Sequence, residues 1–378
     1  MSNQRKQSRQ MRGPQAHQQF GNRAMRMQQK AQQKKMLKEL QKKPLNIHCV
    51  FIALNEEESI PRLAKSLKGF STRNVLVDTG SKDRTVELAK EHGFEVYEME
   101  WPNHFAEARN KAVEIAKCDD ADWICMFDAD EVLKDGWKLK NEMKILRPEV
   151  DVVAIWHKTG AGHNFHRNCI WKPGKAEWKF RVHEHLIPHQ GKAAVLSHTV
   201  EHPDAIGTTH DNKKVLAMLA DDAEEFHDNA TRQYYYGRQL YYEDRMDAIP
   251  FLERVDQLST WEDEASAALV FAGLSFEKKA QWLRDTNQDF QEDLNKALDF
   301  YRRAVVRSGY LRAAYAGVIR LCPDPEERMQ AAYTCLNIIR PRYFDDPPQW
   351  YSEEYNEQLK NVIKGCADQL GVTVNASQ

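Results

Sequence analysis

Three carboxylates, Asp128, Asp130 and Glu131, fall within four positions immediately after five apolar residues, Trp123-Ile124-Cys125-Met126-Phe127. An Asp-x-Asp at the end of a buried strand projects two hard oxygen ligands into a cleft, which suits Mg²⁺ or Mn²⁺ carrying a substrate's phosphates. The plain alternative is a strand followed by a solvated acidic turn. Two further polar groups also follow apolar runs: Asn55-Glu56, and Asp78 with Asp83. A fourth, His183-Glu184-His185, sets a carboxylate between two imidazoles, with His198 and His202 close behind. Its plain reading is a strand Glu facing solvent between two ring neighbours.

The elements that must position these groups can be read from periodicity. An unbroken apolar run suits a strand buried on both faces, as in a parallel sheet flanked by helices, and such sheets bind ligands beyond the carboxyl ends of their strands. Ile47 to Leu54 reads as a first strand ending at Asn55. Ser59, Pro61, Leu63, Leu67 and Phe70 then read as a helix with an early proline. Val75-Leu76-Val77 is a second strand running into Asp78, and Arg84 to His92 a helix stopped by Gly93. Phe94 to Met99 gives a third strand. From His104 to Lys117, Phe105, Ala108, Ala112, Ile115 and Ala116 share one helical face. The strand before Asp128 follows, and the alternation predicts a parallel, right-handed α/β sheet. Beyond Glu131, Val152–His157, Phe165–Trp171 and Trp178–Ile187 read as strands, the last containing His183-Glu184-His185. From about Asp211 the pattern is helical to the end. Gly237, Gly273 and Gly317 recur at helix-pair intervals, and Ala297, Tyr301 and Ala304 have the small–aromatic–small spacing of a tetratricopeptide unit. A stack of helical hairpins or an ordinary helical bundle accommodates this region. The chain divides into a basic tail (1–43), an α/β domain (44–210) and an α-helical domain (211–378).

Four polar clusters at successive strand ends converge on one rim of the sheet, which lone solvated turns would not do. The segments Val50-Phe51-Ile52-Ala53-Leu54-Asn55-Glu56-Glu57, Asp78-Thr79-Gly80-Ser81-Lys82-Asp83-Arg84-Thr85, Phe105-Ala106-Glu107-Ala108-Arg109-Asn110 and Phe127-Asp128-Ala129-Asp130-Glu131 occur in the order and spacing of family 2 glycosyltransferases. Residues 45–205 thus resemble the GT-A, Rossmann-like nucleotide-sugar-binding half of that family. The helical part is similar to members that append tetratricopeptide-like repeats, including the peptide S-glycosyltransferases.

The resemblance implies roles that fit the residue chemistry. The backbone at Ala53 and Asn55, with Glu56 and Asp78, would hold the nucleoside, an acid after the second strand accepting from a uracil or guanine N–H. Asp83 either caps the next helix or faces the base. Arg109 would be a donor fork for the diphosphate, with Asn110 bracing the same loop. Asp128 and Ala129 would lie near the ribose, Asp128 also near the metal, and Asp130 would ligate Mn²⁺ or Mg²⁺. Glu184 matches the acceptor-side carboxylate that deprotonates the attacking group. His202 resembles a later histidine completing the metal shell, with His198 competing for that place.

Composition bounds the rest. Of 378 residues 42% are hydrophobic, enough for real cores, and the net charge of −2 hides an asymmetry. Twelve Lys and Arg between Arg5 and Lys43 face one acid, Glu39. This Gln-rich tail is expected to be disordered, and its charge suits nucleic acid, anionic lipid or simple solubility. Seven cysteines without a CxxC pair read as reduced thiols. With no apolar run long enough to span a bilayer and no apolar leader, a soluble cytoplasmic protein is expected. A phosphate loop, HExxH, and the zinc-deaminase signature are all lacking, and Gly160-Ala161-Gly162 falls short of a dinucleotide fingerprint. The pattern predicts a metal-dependent, inverting transfer of a sugar from a nucleotide-sugar, UDP-sugars favoured. The acceptor is a modified DNA base, a peptide or a glycan, and the helical region serves acceptor binding or a homodimer. The competing reading is a non-catalytic repeat scaffold whose α/β half only binds nucleotide.

Overall fold

The computed structural model describes residues 44–158, 164–203, 212–339 and 348–373. The basic tail and Gly160-Ala161-Gly162 lie outside the described residues. The α/β part runs β1 (Ile47–Ala53), α1 (Ile60–Ser66), β2 (Arg73–Asp78), α2 (Thr85–Glu91), β3 (Glu95–Glu98), α3 (Phe105–Ala116) and β4 (Trp123–Cys125). It continues through β5 (Val132–Leu133), α4 (Gly136–Met143), β6 (Val150–Lys158), β7 (Asn164–Trp171), β8 (Ala176–Lys179), β9 (His185–Pro188) and β10 (Lys192–Glu201). One eight-stranded sheet has the order β3-β2-β1-β4-β7-β6-β10-β5, and β8 and β9 form a separate pair.

The chain lays β2 and β3 to one side of β1 and then returns to place β4 on the other. That reversal opens a crevice at the carboxyl ends of β1 and β4, where such sheets take ligands. Alternation along β1 sends Ile47, Cys49 and Phe51 into one core, beneath α1, α2 and α4, and Val50 into a second beneath α3. Phe51 packs edge-on against both Phe94 and Phe127, tying β1 to the strand that carries the carboxylates.

The sheet is parallel across β3-β2-β1-β4 and again between β6 and β10, and antiparallel elsewhere. β7 runs antiparallel to both β4 and β6, and β5 antiparallel to β10. Residues 159–163 alone join β6 to β7, too few for a crossover, so β7 must return antiparallel. The single strand read over Trp178–Ile187 is instead the β8–β9 hairpin. Phe180 (φ 79°) and His183 (φ 50°) take left-handed backbone and break it. β10, β5 and α4 carry no strong pattern in the sequence and were not expected.

The expected all-α region follows: α5 (Asn212–Glu225), α6 (Ala230–Tyr242), α7 (Ala248–Leu258), α8 (Glu262–Asp285), α9 (Gln291–Arg307), α10 (Arg312–Leu321), α11 (Pro325–Asn337) and α12 (Glu353–Leu370). The recurrent glycines mark close helix contacts. A Cβ at Gly237 would meet Leu252, and at Gly273 or Gly317 it would meet the ring of Tyr301. Tyr301 is fully buried with Ala297 and Ala304 on α9, which explains the small–aromatic–small spacing. No helix among the described residues is long and apolar enough to cross a membrane.

A Cβ on Gly317 would lie 2.3 Å from Tyr301 ring atoms, whereas one on Gly365, in α12, meets nothing within 4 Å. Gly317→Ala should therefore destabilise the protein by about 1–3 kcal/mol through overpacking. Gly365→Ala should be neutral or stabilise by about 0.5–1 kcal/mol from helix propensity alone. Thermal melts of the two variants side by side check the contrast.

Candidate active site

The loops after β1 and β2 brace each other. Asn55, in left-handed backbone (φ 56°), donates its N–H to Ser81 Oγ at 2.8 Å and accepts from the Lys82 N–H at Oδ1, also at 2.8 Å. The carbonyl of Ala53 accepts from the N–H and hydroxyl of Thr79. Asp83 accepts from the Thr85 N–H and hydroxyl and from the Glu57 N–H, so here it works as a turn and loop brace. Asp78 is buried, and its Oδ2 accepts from the N–H groups of Gly80 and Ser81 at 3.0 Å each. Its Oδ1 has no partner among the described residues. A buried acceptor left open is costly unless a ligand's N–H fills it. Asp78, Gly80, Glu98, Met99 and Glu100 line a cavity of about 300 Å³ there.

At the centre of the rim stands Arg109, buried on α3. Its Nη2 lies 2.5 Å from Asp128 Oδ1 and 2.6 Å from Glu184 Oε1, and its Nε donates to Glu184 Oε1 at 2.7 Å. The Trp178 ring covers the guanidinium at 4.7 Å. Asn110, next on α3, holds Trp178 by both backbone groups, donating to its carbonyl and accepting from its N–H. The expected diphosphate fork thus grips two carboxylates, and only its Nη1 lacks a partner. A second guanidinium, Arg167 on β7, donates to Asp128 Oδ2 at 3.1 Å and to Glu131 Oε2 at 2.6 Å. Glu131 also accepts from the Asp128 N–H and pairs with His157 at 2.9 Å. Burial alone would raise the Asp128 pKa, but Arg167 and Arg109 outweigh it and hold this carboxyl well below the usual range.

Asp130 lies on the other side of the turn. Its Oδ2 pairs with His202 Nε2 at 2.8 Å, while its Oδ1 is buried without a partner. His198 points elsewhere, to Glu142 on α4 at 3.2 Å. Ala129 is buried between the two aspartates. Burial first, and then the charge of Asp128, raises the pKa of Asp130. Glu56 is raised as well, chiefly by burial, with Asp130 and Asp128 adding repulsion that a hydrogen bond with Ser59 opposes. Among the described residues no three His, Cys, Asp or Glu side chains form a metal cage by themselves. The open oxygen of Asp130 and the imidazole of His202 nonetheless suit a hard divalent cation whose remaining ligands come from a diphosphate and water.

The fold therefore gathers Glu56, Asp78, Arg109, Asp128, Asp130, Glu184 and His202 on one rim, with Ala53, Asn55, Asp83 and Asn110 as supports. Arg167, His157 and Trp178 join them without having been marked by any motif, and so does Glu131, which the acidic motif contains but which had been given no role. The one signal was an arginine inside a strand that runs into buried Cys169-Ile170-Trp171.

Residues 49–199 match the sequence model of glycosyl transferase family 2. A TPR repeat-containing protein of Synechococcus elongatus is 39% identical over 92 residues, 24% of this chain and 22% of that protein. The SPbeta prophage-derived glycosyltransferase SunS of Bacillus subtilis is 24% identical over 224 residues, 55% of this chain and 52% of that protein. The chain thus spans about half of SunS and about a fifth of the Synechococcus protein. Among solved structures, S. aureus TarS 1–349 in complex with UDP aligns with 71% of this chain and 93% of its own, at 13% identity and a TM-score of 0.38. Glucosyl-3-phosphoglycerate synthase from Mycobacterium tuberculosis, in complex with Mn²⁺, UDP and its glucosylated product, aligns with 32% of this chain and 48% of its own, at 19% identity and a TM-score of 0.27. The match to glycosyl transferase family 2 thus falls within the α/β part, ahead of the C-terminal helical region.

Proposed function

We propose that this protein transfers a sugar from a UDP-sugar to an acceptor by a metal-assisted, inverting displacement. The observation that carries the reading is the convergence of Asp128 and Glu184, from two chain segments, on the buried Arg109 of a third, with Asp130 on the same turn as Asp128 and the open acceptor of Asp78 at the end of a neighbouring strand. Asp78 Oδ1 receives the imide N–H of uracil, and Glu56 and the Asn55 loop close the nucleoside side. The unpartnered Nη1 of Arg109 and Nε of Arg167 are donors for the diphosphate. Asp130 and His202 would hold a divalent cation, which would neutralise charge developing on the departing nucleoside diphosphate. Glu184 takes the proton from the acceptor as the acceptor atom bonds to the anomeric carbon and the bond to the diphosphate oxygen breaks. One base on the face opposite the leaving group is all that direct displacement requires.

For the acceptor, the basic segment 1–43 favours a modified base in DNA over a peptide or a glycan. The helical region packs against the acceptor side of the rim, through Arg181 to Asp222 on α5.

Two measurements test this reading. UDP release from a panel of UDP-sugars with Mn²⁺ should fall at least about 100-fold in Asp130→Ala. In Glu184→Gln transfer should fall by about 10²–10⁴-fold while UDP affinity is retained. Wild-type turnover in Asp130→Ala would remove the metal assignment, and wild-type transfer in Glu184→Gln would remove the base. For the acceptor, deleting residues 1–43 should weaken binding to duplex DNA and flatten its dependence on salt concentration. An unchanged affinity and slope would exclude a nucleic-acid role for the segment.

A further inference from the structure

The helical region touches the catalytic rim most closely through a residue that the proposed chemistry leaves unused. Arg232, on α6, is fully buried, and its Nη1 donates to the carbonyls of Val182 at 3.0 Å and His183 at 3.1 Å. These are the two residues directly before Glu184. Its guanidinium carbon lies 4.0 Å from the ring centroid of Phe180 and 5.0 Å from that of Tyr235. Tyr235 in turn stacks on His183, with centroids 4.2 Å apart. One residue beyond Phe180, Arg181 anchors the same segment to α5. Its N–H and Nη1 both donate to Asp222, and Nη1 also reaches Glu225.

The segment held in this way is strained. Phe180 and His183 both sit in left-handed backbone that non-glycine residues avoid, and such conformations persist only where the surroundings over-determine them. Arg232 is itself an expensive group to bury, since its Nε and Nη2 have no hydrogen-bond partner among the described residues. Packing alone could be met by an apolar side chain of similar volume. Two carbonyls in a row need a donor, and the flat face of Phe180 suits a guanidinium.

We propose that Arg232 is a positioning residue, through which the helical region fixes the backbone of residues 180–183 and so aims Glu184 at the acceptor. This rests on Glu184 being the base. The helical region is then part of the catalytic apparatus rather than only a platform for the acceptor.

The test uses the full chain with Mn²⁺ and UDP-glucose, or whichever UDP-sugar the wild type turns over. Arg232→Lys, Arg232→Ala and Arg181→Gln are compared for turnover, UDP affinity and melting temperature. Turnover should fall about 100-fold in the Arg232 variants, the scale of a misplaced catalytic group, with UDP affinity within about twofold of wild type. Guanidinium ion added to Arg232→Ala should restore part of the lost rate. Arg181 is 24% exposed, so its variant should fold, and it decides the matter if those at Arg232 do not. Turnover in Arg181→Gln and any folded Arg232 variant within about threefold of wild type would overturn the proposal. A parallel loss of turnover and UDP affinity would also overturn it, by showing general disruption. If the wild type binds UDP but turns over no UDP-sugar, the transferase reading itself fails and this proposal falls with it.

Discussion

One buried guanidinium, shared between two carboxylates, sets the geometry of the rim. Arg109 touches Asp128 and Glu184 together, so the carboxylates proposed for the donor side and the acceptor side are separated by the width of a single fork. A rigid planar cation is suited to this, because it fixes direction as well as distance. Its surroundings restrict it further, with Trp178 over its face and Asn110 holding the backbone of Trp178. α3 itself is anchored at its start, where the Phe105 N–H donates to the Arg181 carbonyl and His104 caps the Glu107 N–H. Removing Arg109 would leave two anions facing each other with little water between them, a larger penalty than the ion pair's own net stabilisation.

The charges around this fork do not balance, and the direction of the imbalance is informative. Arg109 and Arg167 serve Asp128, Glu131 and Glu184, with His157 adding a hydrogen bond to Glu131. Among the described residues no guanidinium pairs with Asp130 or Glu56, and burial pushes both toward the neutral form. A protein of this design holds its negative excess at one edge of the cleft. In the proposed site, a doubly charged cation with a diphosphate would balance that excess. Asp128 is different. Both its oxygens are taken by arginines, so it shapes the cleft more than it offers free ligand positions.

How much of this was legible follows from where each signal resides. β1 to β4 and their helices could be read because strands buried on both faces are uninterrupted apolar runs, and α3 shows its face by periodicity. The aspartates of the turn, Asp78 and Glu184 stood out because carboxylates after apolar runs are rare without cause. β10 could not be read, since Lys192-Ala193-Ala194-Val195 alternates weakly and stays largely exposed. The β8–β9 break rests on left-handed backbone at Phe180 and His183, residues that carry no local mark of it. The partners of arginines were least legible of all. Arg167 and Arg232 look like ordinary surface charges in sequence, Arg109 is marked only by the family segment it lies in, and only the packing of distant segments selects which carboxylate or carbonyl each one meets.

The open oxygen of Asp78 bears on base selectivity. An ionised carboxylate can only accept, and Gly80 and Ser81 already occupy its other oxygen. In the proposed donor site, a pyrimidine edge that brings a protonated ring nitrogen would complete the set of contacts, while cytosine would bring a lone pair against a lone pair. A preference for uridine over cytidine nucleotides would then come less from added attraction than from this mismatch, and one buried side chain would be enough to enforce it.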